Sequence, residues 1–335
     1  MKVKLKDVAE HLNISVSTVS RVVNNKDYVK PELRKKVLEA LDLFQYRPNE
    51  IARSLKSKTS KVIGVVVPDI MNQFFAAIIR GVESIAREHG YSIIICNSDE
   101  RLDKEAEYLQ LLVQKQISAL VIATVNETAP FLEQFKAYNI PTVFVDNLPK
   151  AEGQFDSVTV DNVRASYELV QHIINAGHKK IALITGPLNQ TSSSERFIGW
   201  EKAMVDAGNH IKKEWIKVGT FKQKDGYEFM KQILRLKELP TAVFAANNIL
   251  AYGAIRAIKE HGIDIPTDIS LISFDTIDPT GLLAPRITSM IQPAEEIGVI
   301  AGDLIIRKLQ NPEIKRVERV ILEPEFDKGE SVLSK

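Results

Sequence analysis

The sequence predicts an α/β protein of parallel sheets preceded by a small all-helical unit. Three observations lead there. From Val62 onward, short β-branched runs alternate with stretches of helical length, the pattern that parallel sheets produce. Residues 1–60 carry no such run and differ in charge, with 13 Lys+Arg against 7 Asp+Glu. The remainder carries 31 against 36, so the overall net charge of +1 hides a basic segment on an acidic body. Finally, roughly 275 residues after the basic segment exceed a comfortable single sheet, which points to two lobes.

The first helix runs into Leu12, with Val8 and Leu12 sharing a face at i and i+4. Asn13 tolerates the left-handed conformation that ends a helix, and Ser15 can cap the next one. At ~100° per residue, Val19, Val22 and Val23 then fall on one arc, and Val16, Ser17, Ser20 and Arg21 on the opposite one. The valines can pack inward. The polar arc, small residues with one arginine, suits a DNA major groove: Arg21 could bond guanine O6 and N7, and Val16 could touch a thymine methyl. The competing reading is a solvated surface face. A third helix spans Pro31 to Phe44 with Leu33, Val37, Leu38 and Leu41 as its apolar stripe, and Lys30 is a poor cap for it. Asn49 can cap a further helix of roughly two turns, marginal alone in water, that carries Ala52 and Leu55 among Arg47, Arg53, Lys56 and Lys58.

These words stand in a particular order: Asp7-Val8-Ala9, then Val16-Ser17-Thr18-Val19-Ser20-Arg21-Val22-Val23-Asn24, then Tyr46-Arg47-Pro48-Asn49 and Ala52-Arg53-Ser54-Leu55. So ordered, they resemble the headpiece and hinge of the lactose-repressor/galactose-repressor family of bacterial transcription regulators, and the likeness continues through nearly the whole chain. The resemblance implies a helix–turn–helix headpiece over 1–46, a hinge helix and linker over 47–60, and a periplasmic-binding-protein-like body. It implies three crossovers between two discontinuous lobes, 61–160 with 291–322 and 161–290 with 323–335. It also implies a homodimer reading double-stranded operator DNA through Val16, Ser17, Ser20, Arg21, Asn24 and Arg53, with Leu55 wedged into the minor groove.

In the body, Val62–Val67 is a near-continuous β-branched run, as in a strand buried on both faces. A helical pattern from Phe75 to His89 follows, stopped by Gly90. Further strand-like runs lie at Ser92–Cys96, Ala119–Ala123, Thr142–Val145 and Val158–Val160, then Lys180–Ile184, Trp215–Val218, Ala242–Ala245 and Leu271–Ser273. Gly177, Gly208 and Gly262 fall where helices should stop. The one cysteine, Cys96, excludes an intrachain disulfide and reads as a buried strand residue.

Polar and aromatic residues gather at the carboxyl ends of these strands, where open α/β sheets bind ligands. Asn72, Phe74 and Phe75 follow the first strand, and Asp146-Asn147 end Thr142–Val145. Arg196, Phe221, Asn247-Asn248, Asp275 and Gln292 each follow a later one. A single strand-end Asp is more often a helix cap. Several strands offering one inventory point instead to a polyhydroxylated ligand: carboxylates and amides pair with hydroxyls, and phenyl rings cover the apolar face of a sugar ring. The resemblance implies the same site, with Arg196, Asn247 and Asp275 holding a small carbohydrate-like effector from the second lobe. Phe74, Phe75 and Asp146 face it from the first, Gln292 lies at a crossover and Phe221 forms an aromatic wall. The chain departs from the family pattern where many relatives have Asn-Asp for Asn247-Asn248 and sugar binders often have Asp-Arg for Asp146-Asn147. It departs again at Gln190, where a purine-binding relative would place an Arg.

Enzyme signals are weak. There is no G-x-x-x-x-G-K-[ST], G-x-G-x-x-G or G-x-S-x-G motif, and the six histidines never pair at metal-ligand spacing. Ser192-Ser193-Ser194 reads as a polar turn or a loop beside the ligand. No cofactor is expected. No segment approaches ~18–20 uninterrupted apolar residues and the N-terminus has no apolar leader, so a cytoplasmic protein without membrane contact is expected. No leucine heptads follow the body, so the tetramerisation helix of the lactose repressor is not expected. The sequence thus predicts a repressor of carbohydrate-utilisation genes. Its rival is a cytosolic solute-binding or sugar-converting α/β protein, and a protein co-effector has no residue here that argues for it.

Overall fold

A computed structural model describes residues 4–23, 29–46, 60–150, 155–278 and 281–335. The chain divides into two compact units, residues 1–59 and 60–335.

In the first unit, α1 (Leu5–Leu12), α2 (Val16–Val23) and α3 (Pro31–Leu43) enclose one core of Val8, Ala9, Val19, Val22, Val37, Ala40 and Leu41. Asn13 ends α1 in the left-handed region at φ 53°, and its N–H reaches back to the Glu10 carbonyl. Ser15 Oγ accepts the Thr18 N–H at 3.2 Å, so the predicted cap forms. Val19 and Val22 are buried and Val23 is half-buried, which leaves the opposite arc of α2 outward. Leu38 departs from expectation: it is 49 % exposed. The inward stripe of α3 runs through Val37, Ala40 and Leu41, and Leu38 sits about 100° round from Val37. The proposed hinge helix lies outside the described residues.

The second unit contains two six-stranded sheets. The first has the order β11-β5-β4-β3-β1-β2, from β1 (Val62–Val67), β2 (Ser92–Asn97), β3 (Ala119–Ile122), β4 (Thr142–Val145), β5 (Asp156–Val160) and β11 (Arg319–Leu322). The second has the order β12-β10-β9-β8-β6-β7, from β6 (Ile181–Thr185), β7 (Ile216–Val218), β8 (Ala242–Ala245), β9 (Ser270–Phe274), β10 (Thr288–Ile291) and β12 (Glu325–Asp327). The two orders correspond strand for strand. Pairing is parallel except between β10 and β12. The chain passes from one sheet to the other after β5, after β10 and after β11.

Helices follow most strands: α4 (Gln73–Glu88), α5 (Leu102–Gln114), α6 (Leu132–Ala137), α7 (Asn162–Asn175), α8 (Thr191–Asp206), α9 (Gln223–Leu234), α10 (Asn248–Glu260) and α11 (Ala294–Gln310). The α4–α11 contact is close because it runs over glycine: a Cβ on Gly298 would lie 2.1 Å from the Ile78 carbonyl oxygen. Gly90, Gly177, Gly208 and Gly262 all take positive φ just beyond helices, as helix stops require. Two short strands were not expected: β11, where Val320-Ile321-Leu322 alternates half-buried and exposed residues, and β12, where Glu325 and Phe326 are exposed and Asp327 is half-buried. Trp215, expected within a strand, instead closes a 3₁₀ turn before β7 and donates its Nε1–H to the Glu238 carbonyl at 3.2 Å. Cys96 is buried as expected, and burial pushes its thiol up to about 11.

Candidate effector site and DNA-reading face

The carboxyl ends of both sheets face a cavity of about 330 Å³. All nine residues expected at the effector site line it: Asn72, Phe74, Phe75, Asp146, Arg196, Phe221, Asn247, Asp275 and Gln292. Each is placed by local structure. Asn72 caps α4 by accepting the Phe74 N–H at 3.1 Å, so its side chain stands at a helix start beyond β1. Asn247 caps α10 in the same way, accepting from Leu250 N at 2.8 Å and leaving its Nδ2 to point elsewhere. Phe74 and Phe75 meet edge to face with centroids 5.1 Å apart. Phe221 lies over Gly186, where an added Cβ would come within 2.6 Å of the ring. The Gly186-Pro187 turn is thus a floor for an aromatic wall.

Two aspartates occupy equivalent places, Asp146 after β4 and Asp275 after β9, and both take left-handed φ, 60° and 54°. That conformation is uncommon for residues other than Gly but open to Asp, and both residues line the cavity. Their partners differ. Asp275 accepts the Gln292 N–H at 2.8 Å and its Nε2–H at 2.6 Å. Asp146, only 9 % exposed, has no hydrogen-bond partner among the described residues. Burial pushes the Asp146 carboxyl up to about 7, against the pull of Arg196 and with the help of Asp275, Glu100 and Glu195. Burial likewise raises Asp275, opposed by Arg196 and by the Gln292 bonds.

Arg196 is 3 % exposed and fixed by its own scaffold. Its Nε–H donates to Asn162 Oδ1 at 2.8 Å, its Nη1–H to the Ala246 carbonyl at 2.7 Å, and the guanidinium lies 4.1 Å from the Phe274 ring centroid. Burial lowers its pKa while Asp146 and Asp275 raise it. Its Nη2 has no partner among the described residues. Among the described residues the cavity therefore presents a set of groups without partners: the Asp146 carboxylate, Arg196 Nη2, Asn247 Nδ2 and Gln292 Oε1.

Sequence reasoning missed Asp69, Asp99, Glu100 and Lys222, which also line the cavity. Asp99 and Glu100 follow β2, so the strand-end rule that found the others applied to them as well. The three departures from the family pattern have a common feature in the structure. Asn147, Gln190 and Asn248 all bond between the two sheets' lobes: Asn147 to Gln190 and Ser192, Gln190 to Glu100, and Asn248 to Asn72.

In the helical unit, Val16, Ser17 and Arg21 are exposed and Ser20 is half-buried along the outer arc of α2. These four share one face, with Val16 at 44 % exposure. Asn24, Arg53 and Leu55 lie outside the described residues. Among the described residues no helix is long and apolar enough to cross a membrane.

Comparison with known proteins gives the same division. Residues 4–49 match the family described as bacterial regulatory proteins, lacI family. Residues 60–328 match the periplasmic binding proteins and sugar binding domain of LacI family. The HTH-type transcriptional regulator RegA of Clostridium saccharobutylicum is 36% identical over 334 residues, covering 99% of this chain and 100% of RegA. A LacI family transcriptional regulator from Enterococcus faecium, solved with bound ribose, is 31% identical with a TM-score of 0.72 over 82% of this chain and 99% of that one. The lac repressor dimer, solved on its operator with the anti-inducer ONPF, is 27% identical with a TM-score of 0.84 over 99% of this chain and 100% of that one. The chain belongs to the LacI family of bacterial regulatory proteins: it is a DNA-binding transcription regulator and not an enzyme.

Proposed function

We propose that this regulator is a cytoplasmic homodimeric repressor of carbohydrate-utilisation genes, controlled by a small uncharged sugar bound between its body lobes. The convergence of unspent donors and acceptors on one cavity carries the reading. Two acceptors, the Asp146 carboxylate and Gln292 Oε1, face two donors, Arg196 Nη2 and Asn247 Nδ2, with phenyl rings as apolar walls. A sugar hydroxyl both donates and accepts, so a ring of hydroxyls satisfies such a set. Five carboxylates line the cavity (Asp69, Asp99, Glu100, Asp146, Asp275) against the cations Arg196 and Lys222, a balance that disfavours phosphosugars and sugar acids. The volume lies at the low end of the usual range for ligand pockets, ~300–1,000 Å³, and suits one sugar ring better than a long chain.

The lobes are residues 61–160 with 291–322 and 161–290 with 323–335. An effector that binds two arrangements of these lobes unequally shifts operator affinity, and one that binds them equally shifts nothing. A coupling of about 1–3 kcal/mol changes that affinity ~5- to 150-fold. Operator reading falls to Val16, Ser17, Ser20, Arg21 and, outside the described residues, Asn24, Arg53 and Leu55. The dimer is supported by the likeness to the lac repressor dimer along nearly the whole chain.

A thermal-shift panel of neutral sugars, sugar acids, phosphosugars and nucleobases tests the effector class. A neutral monosaccharide should raise the melting temperature, and operator titration with that sugar then gives the sign of regulation. A shift produced only by phosphorylated compounds or nucleobases would overturn the proposed class.

A further inference from the structure

The body lobes are joined across the cavity by neutral amides as well as by charges. Asn72, after β1, and Asn248, the first residue of α10, form a reciprocal pair: Asn72 Nδ2–H donates to Asn248 Oδ1 at 3.2 Å and Asn248 Nδ2–H donates to Asn72 Oδ1 at 2.9 Å. Elsewhere on the cavity lining, Asn147 Nδ2–H donates to Gln190 Oε1 at 3.2 Å, and Asn147 Oδ1 accepts from Ser192 N at 3.0 Å and Ser192 Oγ at 2.7 Å. Gln190 then donates to Glu100 Oε2 at 3.1 Å. In every case the two partners follow strands of different sheets, and all the amides are buried.

We propose that these paired amides latch the two lobes together independently of any effector, and that opening the latch is the step that admits the effector. The bonds run directly from lobe to lobe, so they need no third molecule between them. A reciprocal amide pair supplies one donor and one acceptor from each side, which neither two carboxylates nor two ammonium groups can do. It is also uncharged, so it holds without drawing a countercharge into the cavity. Its strength is limited, because water takes over the same bonds when the lobes part. A weak, satisfied, buried contact of this kind makes a reversible gate. That consequence for effector entry rests on the reading of the cavity as the effector site; the latch itself does not.

The test uses the full chain with no sugar added. Nitroxides are placed on Gln110→Cys, in the lobe of the first sheet, and Lys237→Cys, in that of the second; both positions are exposed. Buried Cys96 stays unlabelled, and dilution with unlabelled chain leaves only intrachain distances in a double electron–electron resonance measurement. The parent should show one narrow distance. Asn248→Ala should add a longer one, raising the open-to-closed ratio about 5- to 150-fold, the worth of two net hydrogen bonds. Asn248→Asp, similar in size but unable to donate to Asn72, should fall between. A broad or long distance in the parent would overturn the latch. So would a distribution that neither Asn248→Ala nor Asn147→Ala changes. Since no effector is present, a silent sugar panel would refute the effector class and leave this result standing.

Discussion

Asp146 offers the sharpest test of the cavity's electrostatics, because its carboxyl is pushed from an ordinary 3.8 up to about 7 with burial as the first cause. The native protein then holds that proton more tightly than the unfolded chain does. The stability this contributes is complete below about pH 3.8 and is lost as pH rises through about 7. A shift of roughly three pKa units corresponds to about 4 kcal/mol at most, at ~1.4 kcal/mol per unit. Asn in place of Asp146 keeps the shape and never ionises. Asp146→Asn should therefore gain on the parent as pH rises, by about 2.5 kcal/mol between about pH 5 and about pH 8. The attraction of Arg196 for the ionised form is already contained in the shift, so the sign is net of it. Urea unfolding of both proteins across that range measures the gap. A gap that stays constant or narrows with pH would mean that Asp146 ionises normally and that the cavity is wetter than its burial implies.

Sugar hydroxyls that donate to Asp146 favour its ionised form, so effector binding should release a proton below about pH 7 and tighten as pH rises toward it. Titration calorimetry in buffers of different ionisation enthalpy reads that proton directly, and Asp146→Asn should lose the dependence. Arg21→Ala should relax operator specificity at one base pair by about 1–3 kcal/mol, whereas uniform weakening on all sequences would make Arg21 a phosphate contact. Asp275→Ala should abolish the effector response and lower the urea midpoint as well, since it leaves two buried Gln292 donors unpaired at about 1–3 kcal/mol each. Gly298→Ala should destabilise the body by about 1–3 kcal/mol without touching the cavity, because its Cβ would push α11 off the Ile78 carbonyl; an unchanged unfolding midpoint would show that the helices slide apart at no cost.

The α/β class was legible because the buried strands are the most apolar words in the chain. Val62–Val67 is buried and β-branched almost throughout, and Ala242–Ala245 is a wholly apolar, buried run too short for a helix. The edge strands β11 and β12 were not legible: β12 is Glu325-Phe326-Asp327, a charged tripeptide with one apolar residue, and β11 offers only Val320-Ile321-Leu322, too short a run to set its period. Leu38 shows the converse limit, since helical spacing ranks neighbouring positions but does not say where the stripe ends. For the cavity, strand-end position found Asp146, Asp275 and Asn247 without any contact being known. It could not tell a residue aimed at a ligand from one aimed at the opposite lobe, because both kinds are short polar side chains at the same place. Asn147 and Asn248 directly follow Asp146 and Asn247 in sequence, and what separates their roles is what the folded chain sets opposite them.

The matching strand orders of the two sheets place Asp146 and Asp275 at corresponding ends, with the same left-handed turn, and both feel the charge of Arg196. Symmetry of backbone does not carry over to symmetry of role. Asp275 is tied by both donors of Gln292, a residue at the point where the chain leaves the second sheet for α11, so its carboxylate fixes a crossover and offers only its remaining lone pairs to a ligand. Asp146 has no such tether: burial pushes its carboxyl up to about 7, and only the charge of Arg196 pulls it back. A buried carboxylate left without a partner lowers stability, and the fold retains it beside a fixed Arg196 whose Nη2 is also unspent. On the proposed reading of the cavity, a ligand carrying both donors and acceptors relieves the two groups together. On that reading the site is paid for in folding stability at Asp146, and effector binding at the proposed site would return part of that cost.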